Sequence, residues 1–262
     1  MSQTLPPLHV LLLAESPYFG GITSHLLSIV DALSNDPNIA LTIATLPGRR
    51  DDNALGEALA ARGRALHVLP MSGSFDQRVI QRLRTFIREQ HIDLVHTHNY
   101  RATILAYRAS SPSRPDGGSR LIATFHGLVP RASTRLRFWQ AAERRVFKRL
   151  PLVAACSDAA RQQLIDHGVS PEKTRAIHNA AMPPESIAPI DRARLSLPAD
   201  RPLAVFIGRL IPSKRCDLLL RAAARAGWSV VIVGEGPARA DLEFLARRVD
   251  VPAYFAGFQA DP

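Results

Sequence analysis

The chain has 262 residues, long for one compact domain and comfortable for two, and 46% hydrophobic residues are enough to build their cores. A formal charge of +10 points to an anionic partner, whether nucleotide phosphates, an acidic membrane surface or nucleic acid, without choosing among them. Two cysteines, Cys156 and Cys216, in no CxxC spacing exclude a disulfide framework and a cysteine zinc site and suit a reducing cytoplasm, and no run approaches the ~18 apolar residues of a spanning helix.

Short apolar runs then alternate with longer helical patterns. Strands are expected over residues 9–14, 39–45, 65–69, 94–97, 121–125 and 152–155, and their continuous apolar character argues for a parallel sheet covered on both faces. The first of them lacks a basic flank and stops at Glu15, so it reads as a strand and not as a signal segment. This βαβ rhythm makes residues 1–180 a Rossmann-like domain. Residues 181–202 are proline-rich and form the expected linker. The rhythm restarts over 203–262, with strands at 203–207, 229–233 and 253–255 and helices at 217–226 and 238–248. Three strands and two helices are few for a doubly wound sheet, so the second domain is expected to be incomplete.

Several motifs fall at strand ends. The first strand leads through Glu15 to the pair Gly20-Gly21 and then His25, which lets backbone approach a ligand at the first β-α turn; a simple tight turn explains the glycines as well. His96-Thr97-His98-Asn99 and Thr124-Phe125-His126-Gly127 lie at carboxyl ends of strands, the edge where open α/β sheets bind ligands. Alternation points His96 and His98 to one side, which admits a metal pair, but no third ligand sits at matching spacing and a structural histidine is the default for each. His126 is the stronger candidate, because Gly127 permits close approach and imidazole can donate to a hydroxyl or act as a base near neutral pH. Residues 131–150 form an amphipathic helix with Leu136, Trp139, Val146, Phe147 and Leu150 on one side and Arg137, Arg144, Arg145 and Lys148 on the other. It can pack on the core, lie on anionic lipid, or do both. Farther on, the strand ending at Gly208 is followed by Arg209, Lys214 and a helix start, a set that suits phosphate and equally suits a loop with surface cations. Gly234-Glu235-Gly236-Pro237 comes near the dinucleotide fingerprint but lacks its third glycine, which counts against a nicotinamide or flavin enzyme.

Taken together, the Gly-Gly turn, His-Thr-His-Asn, Thr-Phe-His-Gly, Ala-Cys-Ser-Asp, His-Asn-Ala-Ala-Met, Gly-Arg-Leu-Ile-Pro-Ser-Lys, Gly-Glu-Gly-Pro and Ala-Gly-Phe occur in an order that resembles the GT-B glycosyltransferases of family 4 over the whole length. The resemblance implies two facing Rossmann-like domains, a nucleotide-diphosphate sugar as donor, a polysaccharide or glycolipid acceptor, retention of anomeric configuration, and no cofactor or metal. It implies that Arg209 and Lys214 neutralise the donor diphosphate, that Gly20 and Gly21 approach it from the first domain, and that His126 sits near the reacting sugar as the catalytic candidate. His25, His98 and Asn99 are assigned to the acceptor or substrate cleft. Arg215 stands where the family usually has glycine, Asn179-Ala180-Ala181-Met182 replaces Asn-Gly-Val-Asp, and the family's two donor-binding glutamates beyond Gly-Phe have no counterpart within these residues.

The leading expectation is therefore a fragment or truncated form of a retaining glycosyltransferase at the cytoplasmic face of a membrane, touching anionic lipid through residues 131–150. The alternative is a non-catalytic glycosyltransferase-like module that needs a partner chain. Specific nucleic-acid binding is not expected, since no recognition motif accompanies the charge. The fold alone also admits another reaction, such as nucleotide-sugar epimerisation.

Overall fold

A computed structural model describes residues 6–15, 20–47, 54–73, 76–110, 120–128, 133–180 and 192–259. Strands β1 (Leu8–Ala14), β2 (Ile39–Thr45), β3 (Leu66–Val68), β4 (Leu94–His98), β5 (Arg120–Phe125), β6 (Val153–Ala155) and β7 (Thr174–Ala176) form one sheet. Its order is β3-β2-β1-β4-β5-β6-β7 with every neighbouring pair parallel. Helices α1 (Gly21–Leu33), α2 (Ala54–Ala60), α3 (Arg78–Glu89), α4 (Tyr100–Ala109), α5 (Thr134–Phe147) and α6 (Asp158–Asp166) make the crossovers. The chain first walks outward from β1 to β3, then returns to place β4 on the other side of β1. That reversal is the topological switch point of a doubly wound sheet.

The continuous apolar strands serve two cores at once. In β1, Leu11 and Leu13 join one cluster with residues of α3, α4, α5 and α6, while Val10, Leu12 and Ala14 join the opposite cluster with Leu26, Leu27 and Val30 of α1 and Leu55 and Leu59 of α2. Strand side chains alternate, so a strand with a helix layer on each face must be apolar at every position. β7 was not foreseen, because Thr-Arg-Ala has no apolar run to mark it. It adds to the sheet edge beside β6 with Thr174 buried and Arg175 exposed.

Residues separate into two compact units, Met1–Pro183 and Pro184–Pro262. The second contains β8 (Leu203–Ile207), α7 (Cys216–Ala226), β9 (Ser229–Val233), α8 (Arg239–Arg248) and β10 (Ala253–Gly257), in a parallel sheet ordered β10-β9-β8. Every residue of β9 is buried, as its central place requires. Val230 and Ile232 face α7 and α8, whereas Val231 and Val233 face Leu197. The expected linker at 181–202 therefore needs correction in its second half. Its first half, 181–191, lies outside the described residues, but Leu195 and Leu197 pack on β9 and belong to the core of this unit. Among the described residues no helix is long and apolar enough to cross a membrane.

Helix α5 carries the largest departure from its expected pattern. Ser133 caps it, its hydroxyl accepting from the Leu136 N–H at 3.3 Å, and Trp139, Val146, Phe147 and Leu150 are buried as the periodicity predicts. Residues 131 and 132 lie outside the described residues. Two polar side chains, Gln140 and Glu143, are buried with the apolar ones, while Phe138 is 59% exposed. Burial raises the Glu143 carboxyl to about 8, outweighing a hydrogen bond with Thr103 of α4 and the charge of Arg144. Folded Glu143 keeps its proton where an unfolded glutamate, ordinarily near 4.5, has lost it. Stability therefore falls as pH rises from the unfolded value toward the folded one, and is highest below both. Glu143→Gln is expected to match the wild type in denaturant unfolding near pH 4 and to exceed it by a few kcal/mol at pH 9. Equal stabilities at pH 9 would show that this carboxyl ionises freely.

Candidate functional site

Parallel register brings the carboxyl ends of three strands level, with Ala14 beside His98 and His98 beside Thr124. Just past these positions stand Glu15, Asn99 and His126, flanking the switch point between β1 and β4. Gly20 caps α1 and Gly21 begins it, with no acidic residue in the first turn and no side-chain cap. A Cβ at Gly21 would meet nothing within 4 Å, so no local packing demands glycine there. His25 lies one turn along the same helix, where i and i+4 residues share a face.

Asn99 locks the edge together. Its backbone has φ 77° and ψ 163°, a conformation rarely taken by a residue with a side chain. The side chain compensates in two directions: Oδ1 accepts from Ala102 N–H to cap α4, and Nδ2 donates to the Glu15 main-chain oxygen at the end of β1. Both ends of the amide thus bind protein, which makes Asn99 a brace of the cleft edge. One turn on, Arg101 donates through Nη1 to the Glu15 carboxylate and through Nη2 to Met71 Sδ at 3.4 Å. This ion pair is largely buried, and burial holds the Glu15 carboxyl above its ordinary value although Arg101 opposes the shift. The pair was not legible in the sequence, since 86 residues separate its members.

Four imidazoles meet at this edge. His25 lies edge-on to His98 at 5.3 Å and to His126 at 5.4 Å between ring centroids, and His96 lies 4.4 Å from His98. His98 Nδ1 and His126 Nε2 are 3.3 Å apart, and His96 Nε2 is 2.8 Å from Thr124 Oγ1. His98 is completely buried, and its Nε2 has no partner among the described residues. Burial lowers all four: His96 and His126 to about 4, His98 well below its ordinary value, and His25 in the same direction. Neighbouring imidazoles add to the shift of His96, His98 and His126. At neutral pH the cluster is uncharged, and His126 is a hydrogen-bonding group more than a base. Gly127 has φ +89°, so a glycine is needed where the chain turns away, and Gln163 Oε1 accepts from the Leu128 N–H at 3.1 Å to hold that turn. Among the described residues no group of three or more His, Cys, Asp or Glu side chains is arranged to hold a metal ion.

The remaining sequence candidates, Arg209 and Lys214, belong to the second unit. Gly208 ends β8 at φ +154°, Arg209 follows half-buried, and Lys214 stands exposed in a 3-10 turn, Pro212–Lys214. The loop is held by backbone: Leu210 N–H donates to Glu235 O at 2.9 Å and Ala238 N–H donates to Leu210 O at 3.0 Å. A Cβ at Gly234 would overlap the Gly208 carbonyl, and one at Gly236 would overlap the Leu210 carbonyl. Gly-Glu-Gly-Pro is thus the packing partner of Gly-Arg-Leu. Sequence reading compared these glycines with a dinucleotide fingerprint and missed this role, since the packing joins two loops that are apart in sequence. Arg215, where glycine is usual, takes a left-handed conformation at φ 53° and ψ 36°, with its guanidinium on both oxygens of Asp217 at 3.1 and 3.2 Å.

Both units match family models. Residues 19–181 match Glycosyltransferase Family 4, and residues 188–261 match Glycosyl transferases group 1. The chain belongs to glycosyltransferase family 4. A D-inositol 3-phosphate glycosyltransferase of Kineococcus radiotolerans is 30% identical over 190 residues, which cover 62% of this chain and 43% of the relative. A protein of the same description from Mycobacterium bovis is 35% identical over 95 residues, covering 35% of this chain and 20% of the relative. The chain thus spans less than half the length of these curated relatives. Among solved structures, Anabaena HepE in complex with UDP and glucose superposes with a TM-score of 0.77 at 20% identity, covering 97% of this chain and 70% of that one. Sucrose-phosphate synthase of Thermosynechococcus elongatus gives 0.70 at 16% identity, with 96% and 71% covered. These likenesses establish a fold of the GT-B type for this family 4 chain.

The backbone contact between the two loops makes a direct prediction. Gly236→Ala is expected to lower the stability of the second unit by roughly 2–4 kcal/mol, because the Leu210 carbonyl must move and with it the loop carrying Arg209 and Lys214. Gly21→Ala, which meets nothing, serves as the contrast and is expected to leave the melting temperature unchanged.

Proposed function

We propose that the protein transfers a sugar from a nucleoside diphosphate sugar to a polysaccharide or glycolipid acceptor, with retention of anomeric configuration and without a metal. The observation that carries this reading is the loop 208–215, which is fixed by backbone contact with Gly234 and Gly236 and presents Arg209 and Lys214 ahead of a helix N-terminus. Family membership and the UDP and glucose named for Anabaena HepE support a donor of this class.

On this reading, the two cations neutralise the charge that develops on the departing diphosphate, where positively charged and N–H groups fixed in advance lower the barrier most. Gly20 and Gly21 let the α1 backbone approach the same diphosphate. His126, neutral at pH 7, hydrogen-bonds a sugar hydroxyl, with His25 and His98 around it. The acceptor is expected at the inner face of a membrane, approached through the outer side of α5, where Arg135, Arg137, Phe138 and Arg145 are exposed.

Titration calorimetry with UDP, beside a transfer assay with nucleotide sugars, tests the proposal. Lys214→Ala is expected to weaken UDP binding and to lower kcat by about 10²-fold or more, while the fold stays intact because Lys214 is exposed. UDP binding and turnover that are both indifferent to the substitution would remove the phosphate role. UDP binding that depends on Lys214 without transfer to any acceptor would favour a non-catalytic module.

A further inference from the structure

We infer that His98 is a positioning residue that dictates which ring nitrogen of His126 carries the proton. Its partner in this, the His98 Nδ1 to His126 Nε2 contact of 3.3 Å, joins two uncharged rings, so one of the two nitrogens must carry the hydrogen and the other the lone pair. The two tautomers are therefore coupled. His98 Nε2 decides between them. It is buried in a fully enclosed ring and has no partner among the described residues, and an orphaned buried N–H is rarer than a buried acceptor left with a spare lone pair. The His98 proton accordingly sits on Nδ1 and is donated to His126 Nε2. His126 must then carry its own proton on Nδ1, which becomes the donor that this half-buried ring can offer.

His25 and His96 do not compete for this bond. His25 meets both rings by its edge at more than 5 Å between centroids, and His96 is engaged by Thr124 Oγ1. The coupling gives the otherwise plain core histidine of His-Thr-His-Asn a task. It converts His126 from a ring free to take either tautomer into one committed to donating through Nδ1. Resting on the function proposed above, that commitment selects a substrate hydroxyl or ring oxygen acting as acceptor.

Ring nitrogen shifts of histidine in the whole 15N-labelled chain at pH 7 test the tautomer without reference to turnover, with His126→Asn identifying the signals. The expected result is a protonated Nδ1 and an unprotonated Nε2 on His126. A protonated Nε2 in the wild type overturns the inference outright. Asparagine at 98 can place an amide N–H where the imidazole Nδ1–H was, so His98→Asn is expected to retain the pattern. In His98→Leu, which fills the space without a donor, His126 is expected to revert to the Nε2–H form that histidine favours in water. If His98→Leu keeps the wild-type pattern, His98 does not set the tautomer. Should it fail to fold, the wild type and His98→Asn still decide. In the transfer assay, His98→Leu is expected to lower kcat by at least 10-fold and His98→Asn, which restores the donor, by less. An Nδ1–H signature with no transfer activity leaves the coupling standing and removes the proposed function instead.

Discussion

The parallel pairing of β1 with β4 is the constraint on which the first unit's chemistry depends. It sets Ala14 level with His98 and creates the point where crossovers leave in opposite directions, so no helix closes over the strand ends there. An opening of that kind exposes backbone polar groups that must find partners. Asn99 meets the need by accepting a left-handed backbone and spanning from the α4 N-terminus to the Glu15 carbonyl. Arg101 adds a buried ion pair to the same residue. Breaking such a pair by removing one partner would strand a charge, so these residues act more as a fixed frame than as a source of net stability. Beside that frame the histidine rings come into short contact.

The second unit reaches a similar rigidity by a different route. In the loop after β8 glycines let two main chains touch, and hydrogen bonds join Leu210 to Glu235 and Ala238. Arg239 extends the arrangement by pairing with Glu235 and Glu243 and reaching the Phe255 carbonyl of β10 at 3.4 Å. The consequence is a loop whose cations are anchored at their backbone. Such an anchor suits a polyanion, since electrostatic stabilisation is most effective when the groups need not reorganise.

Much of this was legible in the sequence, and what was not has physical causes. Strands 39–45, 203–207 and 229–233 fall where the apolar runs place them, because a strand buried on both faces has no polar positions to blur its limits. β7 escaped because an edge strand needs few apolar residues, and Leu195 and Leu197 were given to a linker because the prolines around them outweighed two leucines. Tertiary contact also hid the burial of Gln140 and Glu143: their neighbours on α4 are far away in sequence, and a periodic pattern carries no information about a buried hydrogen bond to Thr103. Spacing did place His98 and His126 at strand ends. It could not show that β4 and β5 are adjacent, which is what brings their rings together.

The two units divide their electrostatics by sign of purpose. In the loop after β8 Lys214 is exposed and Arg209 half-buried, whereas the imidazoles of the first unit are desolvated until they lose their charge. A protonated histidine in that cluster would sit in a poor solvent for charge, and a second one would be repelled by the first, so the cluster suits neutral polar groups. Hydroxyl-rich molecules are of that kind. In a chain with net charge +10 this edge holds a self-compensated Glu15–Arg101 pair and neutral imidazoles, so the excess positive charge lies elsewhere. Cations and imidazoles can therefore be tuned separately: the cations by loop position, and the imidazoles by which nitrogen holds the proton.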